Sequence, residues 1–239
     1  MAKKNKTVFY HPEPGINNLG NLYIPMEKST NSPVKNTGIG KCPAWNHQNS
    51  RMFIHRASSN LKFHYDIETE KLFSNVNLDI FGNFILPMPP PNENSPLVFE
   101  LEKIYSNFYW TEDEDVWISV IPHPLTSINN NFYHCGAQFN LSNWSRSVNM
   151  GIVVVDSNKE ISIQRGDPLY IVKFHSTDQN QEFDLVYREP PEHRYEQSEN
   201  KINFVRSTLG EGFDYNKILF ESSSPEKKSK CPFSFLWNK

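Results

Sequence analysis

Strand-like runs recur along almost the whole chain, and every one of them is cut short. They are TVFYH (7–11), NLYIPM (21–26), RMFIHR (51–56), LKFHYDI (61–67), NVNLDIF (75–81), LVFELEKIY (97–105), VWISVIP (116–122), FYHCGAQF (132–139), MGIVVVD (150–156), EISIQ (160–164), PLYIVKF (168–174) and FDLVYR (183–188). They are short, rich in Val, Ile, Phe and Tyr, and bounded by Asn, Pro, Ser and Asp. Runs of this kind and spacing predict a mainly β protein, a jelly roll or β-sandwich, rather than alternating βαβ units.

The length of 239 residues suits one sizeable core. The 17 Phe, 10 Tyr and 5 Trp supply much of its volume. Residues 1–221 read as a single β-rich domain. Within it, GIVVVDSNKEISIQRGDPLYIVKF reads as three consecutive antiparallel strands, a meander, with turns at Asp156–Lys159 and Arg165–Pro168. One C-terminal helix is expected over about 191–209, with Pro at its head, Gly beyond its end, and Tyr195, Ile202, Val205 and Leu209 on one stripe. PMPPPNENSP (87–96) reads as an extended loop, because consecutive prolines exclude helix and interior strand. Residues 222–239 read as a polar tether followed by an extended apolar tail, in which Phe233, Phe235, Leu236 and Trp237 form a candidate docking element for a protein partner or for self-association.

Several function classes recede on composition. The net charge is −3 and the pI about 6.2, without the basic stripe of a nucleic-acid binder. No apolar run approaches 18 residues, and the basic N-terminus lacks the apolar core of a signal peptide. The three cysteines, Cys42, Cys135 and Cys231, are widely spaced and form no CxxC, which points to a reducing, cytoplasmic setting. P-loop, GxGxxG, GxSxG, HExxH and kinase signatures are absent.

His64-Tyr65-Asp66 is the candidate metal motif. Period two puts Leu61, Phe63, Tyr65 and Ile67 on one face, and Lys62, His64 and Asp66 on the other. His64 and Asp66 therefore project together, as two ligands of one iron would. A solvated strand face has the same pattern, and Lys62 and Glu68 continue its polar row. A facial triad would need a further ligand, His134 or His175, with Arg146 or Arg188 to hold a co-substrate carboxylate.

Other groups have plainer readings. His123, between prolines, reads as a loop hydrogen-bonder. His134 and Cys135 are strand neighbours that point to opposite faces, so they cannot act as a nucleophile and its base. Arg165-Gly166-Asp167 reads as a tight turn, and TEDEDV (111–116) as an exposed acidic turn. Trp110, Trp117 and Trp144, with Tyr105 and Tyr109, could form a sugar-binding platform, although large rings more often fill cores.

The run over roughly 116–175, with WISVIP, NWSRSVNMG and the Gly-Asp-Pro-Leu turn, resembles small phage and bacterial proteins with a jelly-roll core, similar to the double-stranded β-helix superfold. An excess of Asn over Ala, as in AT-rich genomes, accords with such a source. The resemblance implies a fold, not a function. The leading expectation is a phage-type module that binds or assembles without catalysis and without a cofactor. Two alternatives stand beside it: a non-haem oxygenase using Fe(II) and 2-oxoglutarate through His64, Asp66 and His134 or His175, and a glycan-binding module.

Overall fold

Alternating apolar side chains make one face of most strands insoluble, and here four small sheets bring those faces together. The computed structural model describes residues 4–13, 24–29, 36–76, 85–88, 96–101 and 104–208. Strands are numbered in chain order. The first sheet runs β12 (Arg146–Val148), β8 (Asn107–Thr111), β1 (Lys6–Pro12), β16 (Phe183–Tyr187). Its β1–β16 pair is parallel, and its other ladders are antiparallel. The second sheet runs β11 (Ala137–Asn140), β9 (Trp117–Pro122), β15 (Pro168–His175), β3 (Met52–Arg56), β2 (Glu27–Lys28) and is antiparallel throughout. The third runs β10 (Phe132–His134), β13 (Met150–Val154), β7 (Val98–Leu101), β6 (Ile85–Met88). The fourth runs β14 (Ile161–Ile163), β4 (Leu61–Asp66), β5 (Lys71–Ser74). Three α-helices accompany them among the described residues: α1 (Pro43–Asn49), α2 (Pro124–Asn129) and α3 (Glu192–Thr208). None is long and apolar enough to cross a membrane.

The sheets share one apolar core, stitched by rings. Phe174 of β15 meets Tyr109 of β8 at 6.3 Å and Phe183 of β16 at 6.0 Å, joining the first and second sheets. Tyr170 of β15 meets His134 of β10 at 4.7 Å, joining the second and third. Phe63 of β4 meets Phe99 of β7 edge-on at 5.1 Å, joining the third and fourth.

The mainly β class and the C-terminal helix are as expected, and α3 places Tyr195 against Phe108 at 5.4 Å. The meander is not formed. Its turns exist, with Lys159 N–H donating to the Asp156 carbonyl and Asp167 N–H to that of Gln164. Yet β13, β14 and β15 lie in three different sheets. A tight turn fixes chain direction, not ladder partner. β14 has only three residues, whereas β15 pairs with β9 over six registered positions. The longer non-local ladders prevail.

Other boundaries shift for local reasons. Cys135 and Gly136 divide the expected strand at 132–139 into β10 and β11. The run at 97–105 closes at Leu101, and Tyr105 sits in a turn at φ 57°. Residues 24–26 precede the short β2 instead of forming a strand, and Asn75 and Val76 follow β5 in a bend. Pro87 and Met88 belong to β6 rather than to a loop; β6 is an edge strand, where a missing N–H costs no second ladder. Residues 21–23, 77–84, 89–95 and 209–239, which include Leu209 and the aromatic tail, lie outside the described residues.

Candidate functional site

The second sheet has one face in the core and one outside. On β9, Ile118 and Val120 are buried while Trp117, Ser119 and Ile121 are half-exposed. On β15, Val172 and Phe174 are buried while Ile171, Lys173 and His175 are half-exposed. The register aligns Gln138 of β11 with Ser119, and Ser119 with Lys173. A polar row thus crosses three adjacent strands, because strand neighbours in register share a face.

This row floors an open cleft of about 840 Å³. One wall comes from α1 and the turn that follows it: His47, Gln48 and Arg51. Pro43 starts that helix at a position where its missing N–H costs nothing. Gln179, from the turn after β15, also lines the cleft.

The side chains are held in place. Lys173 Nζ donates to Gln48 Oε1 at 3.1 Å. Arg51 is 5% exposed; its Nη2 donates to the Gln179 carbonyl and to His47 Nε2, the latter at 3.1 Å. Its Nε has no hydrogen-bond partner. Among the described residues, no carboxylate lines the cleft or lies within ion-pair distance of Arg51 or Lys173. Among the described residues, the lining of the cleft therefore carries positive charge and no negative charge.

His175 Nε2 lies 2.8 Å from Ser119 Oγ. Its ring stacks on Trp117 at 6.4 Å, 26° from parallel. Burial, and then the charges of Lys173 and Arg51, hold its pKa below the usual imidazole value, against a smaller opposing pull from Asp115. The ring is therefore neutral near pH 7. With its proton on Nδ1, it accepts the Ser119 hydroxyl proton at Nε2.

The metal candidates are not brought together. His64 and Asp66 are both half-buried on β4. Asp66 Oδ1 accepts from the N–H groups of Glu68 and Thr69, at 3.0 and 3.2 Å, closing the β4–β5 hairpin. His134 is in the core, and His175 is in the cleft. Among the described residues, no three His, Cys, Asp or Glu gather as a metal would require. Arg146 lies over the rings of Trp144 and Phe139, at 4.4 and 5.3 Å, and Arg188 over Phe9 at 5.2 Å.

The aromatic platform is not formed either. Trp110, Trp144, Tyr105 and Tyr109 are core residues, and of the five only Trp117 is half-exposed. Their apolar area drives them inward. His123 caps α2, accepting from Leu125 N–H at 3.3 Å. Asp167 of the Arg-Gly-Asp turn is engaged by Asn130 Nδ2 at 2.7 Å. In the acidic turn, Asp113 accepts from Thr7 N–H and Asp115 from Thr177, so these two half-buried carboxylates tie elements together.

A second polar cluster is buried. His55 Nδ1 lies 2.9 Å from Asn107 Nδ2, and its ring stacks on Tyr170. Burial, and then the neighbouring His134, push its pKa down to about 3, against the nearby Tyr105 carbonyl. Burial pushes His134 down to about 4. Neither ring nitrogen of His134 makes a hydrogen bond of good geometry, and the nearby Cys135 and Asn149 carbonyls only partly offset its desolvation.

No protein-family model matches the chain, and no curated protein matches it. The cleft's geometry alone bears on function. The alternation of WISVIP and YIVKFH was the signal for Ser119, Lys173 and His175. His47 and Arg51 had none, because their place depends on how α1 packs.

Proposed function

We propose that the protein is a binding module whose ligand carries negative charge and sits in the cleft on the outer face of the second sheet. The observation behind this is the lining: Arg51, Lys173 and two histidines, with no carboxylate among them. A nearly buried guanidinium without an acidic partner is costly, and an anionic ligand offsets that cost through charge-assisted hydrogen bonds. The phage-type jelly-roll arrangement belongs to the same proposal. Antiparallel ladders support it, and the parallel β1–β16 pair departs from it. A reducing, cytoplasmic setting accords with the free thiols of Cys42 and Cys135.

The test is titration with inorganic phosphate, followed by amide chemical shifts. Saturable shifts are expected at Ser119, Gln138 and Lys173, weakening as salt rises. Lys173→Met should weaken binding by about tenfold, the loss of one charge-assisted hydrogen bond. No saturable response, or equal affinity in the variant, would refute the assignment.

A further inference from the structure

Resting on the anion-binding reading of this cleft, we infer that Ser119 is an activated nucleophile, with His175 as its base, toward esters whose acyl group carries a second, anionic charge. Three features of the site converge on this.

The first is the 2.8 Å contact between Ser119 Oγ and His175 Nε2, which is the reach a base needs to take the hydroxyl proton. Burial and the two nearby cations keep that imidazole neutral and able to accept it. The groups facing the ring are Lys173 on its own strand, Ser119 and Trp117 from β9, Arg51 from the turn after α1, and Asp115 from the turn before β9.

The second is the row in register. Gln138 and Lys173 are the cross-strand partners of Ser119 on its two sides, and all three line the cleft. Directly opposed residues have Cβ atoms about 5 Å apart. The Gln138 amide thus flanks the nucleophile as a donor to a developing oxyanion, and the Lys173 ammonium, held by Gln48, lies on the other side, toward the charged wall.

The third is the charge of the wall, which selects the acyl group. Arg51 and Lys173 would hold a free carboxylate on the acid side of the ester.

The chemistry balances with water alone. Ser119 Oγ attacks the acyl carbon as its proton passes to His175 Nε2. The tetrahedral oxyanion collapses, the bond from carbon to the leaving oxygen breaks, and that oxygen takes the proton from His175. Water then hydrolyses the serine ester with His175 again as base, regenerating the hydroxyl and releasing the acid.

The pair is a dyad. Among the described residues no carboxylate hydrogen-bonds His175 Nδ1, and the Trp117 stack orients the ring instead. A serine–histidine pair without its third member is slow. A stoichiometric burst is therefore expected, rather than rapid turnover.

The experiment uses the full chain and 4-nitrophenyl hemisuccinate, with 4-nitrophenyl acetate as the neutral comparison. A burst of about one nitrophenolate per chain is expected, with the succinyl group mapped to Ser119 by peptide mass. The hemisuccinate should react about tenfold faster than the acetate, one charge-assisted hydrogen bond converted to rate. Ser119→Ala should abolish the burst. His175→Gln, with folding checked by circular dichroism, should slow it by about 100-fold or more. The wild-type rate should rise with pH to a plateau once His175 is neutral. No acyl group on Ser119, acylation of Lys173 alone, or an unchanged rate in His175→Gln overturns the inference. If phosphate still gives saturable shifts in that case, the binding assignment survives it. Ser119 acylation indifferent both to phosphate and to the charge of the ester would break the anion-binding assignment, and the substrate class with it.

Discussion

The imidazole of His55 lies over the phenol ring of Tyr170, with centroids 4.6 Å apart and planes 18° from parallel. His134 reaches the same tyrosine at 4.7 Å. Two neutral histidines thus share one buried ring, and protons compete with folding. Each has an unfolded pKa of 6.5 and a lower folded one, about 3 for His55 and about 4 for His134. Stability is therefore full above pH 6.5. It falls as pH drops, because the unfolded chain binds two protons that the folded one refuses, until each folded pKa is reached. Between pH 8 and pH 5 the loss should be about 4 kcal/mol for the pair. Urea unfolding at the two pH values measures it. His134→Phe keeps a ring and removes one titration, so the loss should shrink by about 2 kcal/mol. Equal stability of the wild type at both pH values would disprove the linkage.

Gly166 turns the chain between β14 and β15 at φ 92°, and a Cβ placed there would meet nothing within 4 Å. The cost of Gly166→Ala is therefore conformational, about 1 kcal/mol, because an L side chain resists that backbone region. For a chain of this size this is a fall in Tm of about 2–4 °C. A calorimetric scan showing no change would mean that the turn relaxes at no cost.

These turns were legible in the sequence because Gly-Asp-Pro chemistry is local. Most strands were legible too, since a period of two needs no knowledge of partners. Asn107–Thr111 was not: all five residues are buried, so no alternation marks it as a strand. In RMFIHR the period puts His55 on the same face as Phe53, but nothing local says that this face is the core. Ser119 and His175 were each readable as residues on a wet face. Their pairing required the β9–β15 register, which joins residues more than fifty positions apart. Arg51 depended on α1, a seven-residue helix that the run of strands concealed.

His64 and Asp66 share a strand but not a role. Asp66 closes the hairpin through the N–H groups of Glu68 and Thr69, and the Thr69 contacts hold its carboxyl below the usual range. Asp66→Ala should speed amide hydrogen exchange at Glu68 and Thr69 several-fold. His64→Ala should leave both rates as they are. Faster exchange in the His64 variant alone would reverse the assignment.

Glu13 follows β1 and is 5% exposed. Its Oε1 accepts from the Tyr195 hydroxyl at 2.8 Å, and its Oε2 from Ser147 Oγ. One carboxylate thus ties the end of β1 to α3 and to β12. Tyr195→Phe leaves the ring on Phe108 and removes only the hydroxyl, so it should cost about 1–2 kcal/mol. Glu13→Ala should cost more, because Tyr195 and Ser147 both lose their acceptor. In a double-mutant cycle the two changes should couple by about 1 kcal/mol or more, since residues in contact are not additive. Hydrogen exchange over 192–200 should quicken in both single variants, because α3 loses an anchor at its first turn. A coupling energy near zero in urea unfolding would show that the contact contributes nothing, and that α3 is held by the Tyr195 ring and by its other contacts, Arg194 to Glu112 and Lys201 to the Asn143 carbonyl.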